Sequence, residues 1–251
     1  MIWLLRICFS RTITGKNACA TGLLLVLPGL VLASSVSGRV DLVFSRDPNV
    51  RKHMDYSGVV VWLEPLEAPV SLPAKTPHAE MVQKGKTFSP HVLAITLGTT
   101  VNFPNFDPIF HNAFSNYDGQ IFDIGLYPPG TTRAIGFRRE GVVRVFCNIH
   151  PSMSAVIVVL KSPYFSVSDK NGSFQIPGVQ PGSYRIHVFH ERATEQTLAA
   201  LSRSIEIVEE RVQLPPISVS ESGYLQVPHT NKYGKDYPPD SDALGYPGTK
   251  P

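Results

Sequence analysis

The chain has 251 residues, 43% of them hydrophobic and 17% charged, with a formal net charge of +3. That length accommodates one large or two ordinary domains. Arg6, Arg11 and Lys16 are the charged residues of positions 1–33 and account for the whole positive surplus, so the remainder is near neutral and offers no basic patch for nucleic acid.

Those three cations precede an apolar run over 22–32, broken by Pro28 and followed by small residues Ala33-Ser34-Ser35 and Ser37-Gly38. This is the layout of a secretory signal, and its run is shorter than the roughly 20 residues of a spanning helix. An uncleaved anchor is the alternative. The expectation is removal of residues 1–33 and a periplasmic or secreted protein with neither lipid anchor nor stable membrane span. Cys8 and Cys19 leave with the segment, and Cys147 alone cannot form an internal disulfide. A lone thiol in an oxidising compartment is a liability unless something occupies it.

Beyond the signal, nearly every periodic stretch reads as strand. Residues 40–44 and 59–63 are short valine-containing runs bounded by Gly and Pro. Residues 92–97 lead through Gly98 into 99–103, and 141–147 and 155–160 flank a short loop. Asp118-Gly119 and Asn171-Gly172 are tight-turn pairs. Strands 173–176 and 184–189 are separated by Pro177-Gly178-Val179-Gln180-Pro181-Gly182, and only 191–201 has helical composition. Many short strands with frequent turns predict an all-β chain of antiparallel sandwiches. A boundary near Lys161-Ser162-Pro163 divides residues 36–160 from a second small β-sandwich over 161–220. The pieces 38–44 and 58–63 fit either sandwich. Residues 221–251 are rich in Tyr, Pro, Gly, Lys and Asp with few branched apolar side chains, the composition of a disordered tail.

The chemistry concentrates in Cys147-Asn148-Ile149-His150-Pro151-Ser152-Met153, where a thiol, an imidazole and a thioether end an apolar strand. His111 stands upstream, at the end of Phe103-Pro104-Asn105-Phe106-Asp107-Pro108-Ile109-Phe110. Two imidazoles, one thiolate and a weak axial thioether form a soft, asymmetric set that suits copper in both oxidation states. Zinc favours four strong ligands, and a thioether is a poor fourth. Along the strand Val143, Val145 and Cys147 share one face, while Val142, Arg144 and Phe146 share the other. The thiol then points toward the core. A core cysteine beside unrelated histidines satisfies the same parity and is the alternative. If His111 is a ligand, the strand carrying Val101 and Phe103 is expected beside the strand ending at Cys147.

At these residues the chain resembles the cupredoxins, the small blue-copper proteins. One block is Gly98-Thr99-Thr100-Val101-Asn102-Phe103-Pro104-Asn105-Phe106-Asp107, followed by His111-Asn112. The other is Val145-Phe146-Cys147-Asn148-Ile149-His150-Pro151-Ser152-Met153, followed by 155–159. The Cys-x2-His-x2-Met spacing is like that of the amicyanin- and plastocyanin-like members. The resemblance covers about residues 82–160. It implies a Greek-key sandwich with one mononuclear type 1 copper on His111, Cys147, His150 and Met153, and with Asn112 tying the two ligand loops together. Residues 169–176 and 179–186 resemble carboxypeptidase-regulatory-like, transthyretin-like sandwich modules, which implies a module and no activity.

Other features point to little chemistry. His187 and His190 lie three apart on a strand and face opposite sides. His53, His78, His91 and His229 read as exposed. No haem-attachment motif, nucleophile, phosphate loop or carboxylate pair stands out, so no enzyme is expected. The leading function is electron transfer with a redox protein partner. Copper carriage or sensing is a second reading, and a structural or carbohydrate-binding sandwich is a third.

Overall fold

The computed structural model describes residues 34–67, 76–116, 119–225 and 229–237. The expected signal over 1–33, with Cys8 and Cys19, and residues 238–251 of the expected tail lie outside the described residues. Among the described residues, no helix is long and apolar enough to cross a membrane.

The strands run in order β1 Ser34–Val43, β2 Val60–Pro65, β3 His78–Glu80, β4 Val82–Gln83, β5 Phe88–Ser89 and β6 Val92–Thr96. Next come β7 Thr100–Pro104, β8 Phe114–Ser115, β9 Phe122–Asp123, β10 Thr132–Gly136, β11 Gly141–Phe146 and β12 Ser154–Leu160. The last are β13 Phe165–Val167, β14 Ser173–Val179, β15 Gly182–Phe189, β16 Arg203–Ile207, β17 Arg211–Gln213 and β18 Ile217–Ser220. Among the described residues two short helices interrupt them, α1 Pro48–His53 and α2 Glu195–Leu201. Asp47 caps α1 by accepting from the Asn49 amide, and Thr194 caps α2 by accepting from the Thr197 amide. The helical composition over 191–201 thus yields helix from Glu195 onward.

Among the described residues, four of five sheets build two sandwiches, the fifth being the β4-β5 pair. The order β6-β12-β11-β8-β9 faces β10-β7-β3 around a core that includes Val101, Phe103, Tyr127, Phe137, Val143, Val145 and Ile157. The order β14-β1-β17, with β18 also on β1, accompanies β13-β2-β15-β16 around Val36, Val40, Leu63, Ile176, Ile186 and Val219.

The pairing corrects the division of the chain at Lys161. Both N-terminal strands hydrogen-bond to strands beyond Pro163: β1 to β14, β17 and β18, and β2 to β13 and β15. Residues 34–65 therefore belong with the later sandwich and are not an extension of 36–160. The cause is the apolar face of β1, whose Val36, Val40 and Leu42 are buried with Phe174, Ile217 and Val219. The Asn171-Gly172 turn locks this register. Gly172 has φ +78°, and a Cβ there would sit 2.0 Å from the Val40 carbonyl oxygen. The Gly172 carbonyl in turn accepts from the Val40 amide at 2.8 Å.

β12 is buried on both faces. Ala155, Ile157 and Val159 enter the first core, while Val156, Val158 and Leu160 pack with Val60, Val92 and Phe189 between the sandwiches. Two-sided burial explains why 155–160 reads as a continuous apolar run without alternation.

The start of the expected disordered tail is also held. Glu221 is buried, and its carboxylate accepts from His190 Nε2 at 2.9 Å and Ser45 Oγ at 2.7 Å and pairs with Arg192 at 3.1 Å. Burial pushes this carboxyl up, but the His190, Arg192 and Ser45 hydrogen bonds outweigh it and hold the pKa at about 2. A depressed carboxylate stabilises the fold above its ordinary value of 4.5 and loses that contribution as the pH falls toward about 2. The contribution at neutral pH is on the order of 3 kcal/mol. Denaturant titrations should therefore show wild type losing more stability than Glu221→Gln between those two pH values. Parallel losses in the two proteins would remove the assignment.

Candidate metal centre

The centre forms where β11 leaves its sheet. Val143, Val145 and Cys147 are all fully buried, as the strand parity requires. The loop then closes on itself before β12 begins: the Met153 amide donates to the His150 carbonyl at 3.0 Å and the Cys147 amide to the Met153 carbonyl at 3.2 Å. These bonds turn the His150 ring inward, leaving it 3% exposed, and bury Met153 in the same cluster as Cys147.

His111 arrives by a route the sequence did not suggest. β7, carrying Val101 and Phe103, pairs with β10 and β3 in the facing sheet and not with β11. The segment after β7 crosses to the other sheet, where Phe114 of β8 pairs with Phe146 of β11. His111 is pinned on that crossing. Its amide donates to the Tyr127 carbonyl at 3.2 Å, and its carbonyl accepts from the Tyr127 amide at 2.9 Å. The fully buried Tyr127 hydroxyl donates to the Phe103 carbonyl at 2.8 Å and also contacts Gln83 Nε2. Burial raises the Tyr127 pKa further, which keeps the phenol neutral.

The result is a convergence of three ligand-type atoms. Cys147 Sγ lies 3.8 Å from His111 Nδ1 and 3.7 Å from His150 Nδ1, and all three atoms are within 4.8 Å of one another. The two rings meet at an interplanar angle of 64° with centroids 4.8 Å apart. For a first-row divalent ion with metal–sulfur and metal–nitrogen bonds of about 2.3 and 2.0 Å, a trigonal arrangement separates sulfur from nitrogen by roughly 3.7 Å. Both sulfur–nitrogen edges match that separation. Of the sequence-predicted residues, His111, Cys147 and His150 are therefore brought together. Met153 is buried at the end of the same loop.

Asp107, to which the sequence reading gave no role, sets the state of His111. Its Oδ2 accepts from His111 Nε2 at 2.8 Å, which leaves the Nδ1 lone pair on the side of the thiol. Burial pushes the Asp107 carboxyl up, but the Lys86 and Gly85 amides, at 2.9 and 2.6 Å, and the His111 ring more than offset it and keep it charged. Burial lowers the His111 pKa against the pull of Asp107, so the ring is neutral, as a ligand must be. The i,i+4 spacing of Asp107 and His111 was the available signal.

Asn112 has the geometry of a tie between the loops. Its Oδ1 accepts from the Asn148 amide at 2.6 Å, and its Nδ2 donates to Asp123 Oδ1 at 3.3 Å. The described tail residues also reach this centre, against the expectation of disorder and of an exposed His229. The His229 ring stacks on Phe146 at 4.0 Å, and its Nε2 donates to the Pro151 carbonyl at 2.8 Å. Of the remaining histidines, His187 stacks on Trp62, and His190 is buried against Glu221.

No known family's sequence profile matches the chain. Over 60 residues it is 38% identical to the methylamine utilization protein MauL of Methylorubrum extorquens, which covers 24% of this chain and 53% of that protein. The match thus spans about half the length of that relative. Among solved structures the chain is similar to a purple cupredoxin from Nitrosopumilus maritimus, at 26% identity and TM-score 0.31, over 33% of this chain and 99% of that one. A reduced Cu(I) amicyanin mutant is similar at 17% identity and TM-score 0.31, over 40% of this chain and 98% of that one. A copper-containing nitrite reductase from Thermus scotoductus is similar at 24% identity and TM-score 0.32, over 48% of this chain and 28% of that one. The structural neighbours of the chain thus include cupredoxins.

Asp107→Ala removes the acceptor for His111 Nε2 and frees the ring to change tautomer. Metal affinity, measured by competition with a chelator, should fall by roughly 10–100-fold while the protein stays folded. An unchanged affinity would show that Asp107 does not orient the ring.

Proposed function

We propose that the chain is an exported type 1 copper protein that carries electrons between redox partners and performs no catalysis of its own. The observation that carries this reading is the buried triangle of Cys147, His111 and His150, built from two loops, with Met153 buried at the end of the second. His111 and His150 would each offer Nδ1, Cys147 its thiolate and Met153 its weakly binding thioether. When bound, copper supplies a one-electron couple at this point. The chain's own residues do the rest. Asp107 and burial keep His111 neutral with its lone pair inward. The apolar core around Val145 and Phe103 excludes water. The Asn112–Asn148 bond and the closed loop hold the donors in place, so the same arrangement serves both oxidation states and little must move when an electron is gained or lost.

The partial match to MauL, whose name places that protein in methylamine utilization, supports a role in the same metabolism. The signal-like segment supports a periplasmic or secreted site of action. All four donors lie between β7 and β12, so the sandwich of 34–65 and 165–220 is a companion module, in keeping with its transthyretin-like resemblance, that positions the centre against a partner.

The oxidised, copper-loaded protein should be intensely blue, because a thiolate bound to Cu(II) gives strong charge-transfer absorption. Cys147→Ser should abolish the colour. A serine variant with the same spectrum would end the proposal. Cu(I) bound without any stable oxidised form would point to carriage in place of electron transfer.

A further inference from the structure

The segment 229–237 is polar, yet it is tightly built. The Asn231 carboxamide oxygen accepts from the Tyr233 and Lys235 amides, and the Asn231 amide donates to the Lys235 carbonyl at 2.8 Å. This closes a compact turn with Gly234 at φ +71°. The turn stands on the ligand loop at three of its residues. Tyr237 Oη donates to the Cys147 carbonyl at 2.7 Å, the Lys232 amide donates to Asn148 Oδ1 at 3.0 Å, and His229 Nε2 donates to the Pro151 carbonyl at 2.8 Å. The His229 ring stacks on Phe146 and makes a T-shaped contact with Tyr237, whose centroid is 5.2 Å away. Phe146 is on the outward face of β11, so His229 covers a ring that strand parity alone would leave in water.

A closed circuit of bonds joins this turn to both loops. Asn148 donates to Asn112, Asn112 to Asp123 Oδ1, Lys232 Nζ to Asp123 Oδ2 at 2.8 Å, and the Lys232 amide returns to Asn148. The Asp123 hydrogen bond holds the Lys232 ammonium charged, and burial of Asp123 is outweighed by Lys232 and the Gly125 amide, which keep the carboxylate charged.

We propose that residues 229–237 are a strap that keeps the ligand loop closed, with His229, Lys232 and Tyr237 as positioning residues that control access to Cys147 and the escape of metal. The metal half of this inference rests on the proposed copper function; the protection of the thiol does not. Loop opening must break the bonds to residues 147, 148 and 151 together. Each neutral hydrogen bond is worth about a factor of five in such an equilibrium.

The test uses the full chain without metal. Cys147 is alkylated, and its modification is followed by peptide mass, which separates it from Cys8 and Cys19. Tyr237→Phe should speed the reaction roughly fivefold and the Tyr237→Phe, His229→Ala double variant on the order of thirtyfold, with the thermal midpoint of the main transition unmoved. Lys235→Ala, at an exposed side chain of the same turn, should react like wild type. In copper-loaded protein the same ranking should appear in the rate of copper release to a chelator. Equal Cys147 reactivity in wild type and the double variant would overturn the strap, whether or not copper binds. Strap-dependent thiol protection in a protein that takes up no copper would uphold the strap and refute the copper reading.

Discussion

The hydrogen bond from the Asn148 amide to Asn112 Oδ1, 2.6 Å long, joins two loops that are 36 residues apart in the chain. Each loop alone offers an incomplete donor set: His111 on one, Cys147, His150 and Met153 on the other. Burial supplies the force that drives both loops against the core, but burial is not directional and leaves their relative register free. This directional bond between residues adjacent to the two key ligands sets that register together with the pairing of Phe114 with Phe146. Cys147 and His111 are each one position from its ends, so an error in this bond passes to the donor triangle almost undiminished.

The architecture around this contact is rigid on one side. β12 begins immediately after Met153 and is buried on both faces, contributing to the core of the first sandwich and to the seam with the second. The end of the ligand loop is therefore anchored by a strand that cannot shift without disturbing two packed layers. His91 extends the anchorage across the seam. Its Nδ1 lies 3.1 Å from the Ser154 carbonyl, and its Nε2 lies 2.8 Å from Glu191. Because β1 and β2 are woven among the strands that follow Pro163, no single cut in the chain separates the two sandwiches cleanly. A chain ending near Lys161 would leave the apolar faces of β1 and β2 without their partners.

Much of the centre was legible because its residues are close in sequence and chemically unusual. Cys147, His150 and Met153 declare themselves by spacing, and the parity of Val143, Val145 and Cys147 correctly places the thiol in the core. The all-β class followed from short runs and turn pairs. What was illegible depends on partners far along the chain. The assignment of 38–44 needed the knowledge that 173–179 and 217–220 would flank it. The route of His111 was misjudged because a strand's sheet is not written in its own residues, and β7 lies opposite β11. Asp107 passed unread because a carboxylate before a histidine acquires meaning only when both are buried. The tail was read by composition, which counts apolar side chains. It missed that Asn231 satisfies its own turn and that His229 and Tyr237 bring aromatic surface to a place where Phe146 needs cover.

In the proposed copper protein one metal ion sits on one sulfur and two nitrogens with little rearrangement between oxidation states. X-ray absorption at the copper edge, recorded on the oxidised and reduced full-length protein, tests it most directly. The account predicts one short sulfur ligand and two imidazole nitrogens in both states, with the same coordination number. A first shell without sulfur, or one that gains or loses a strong ligand on reduction, would contradict it.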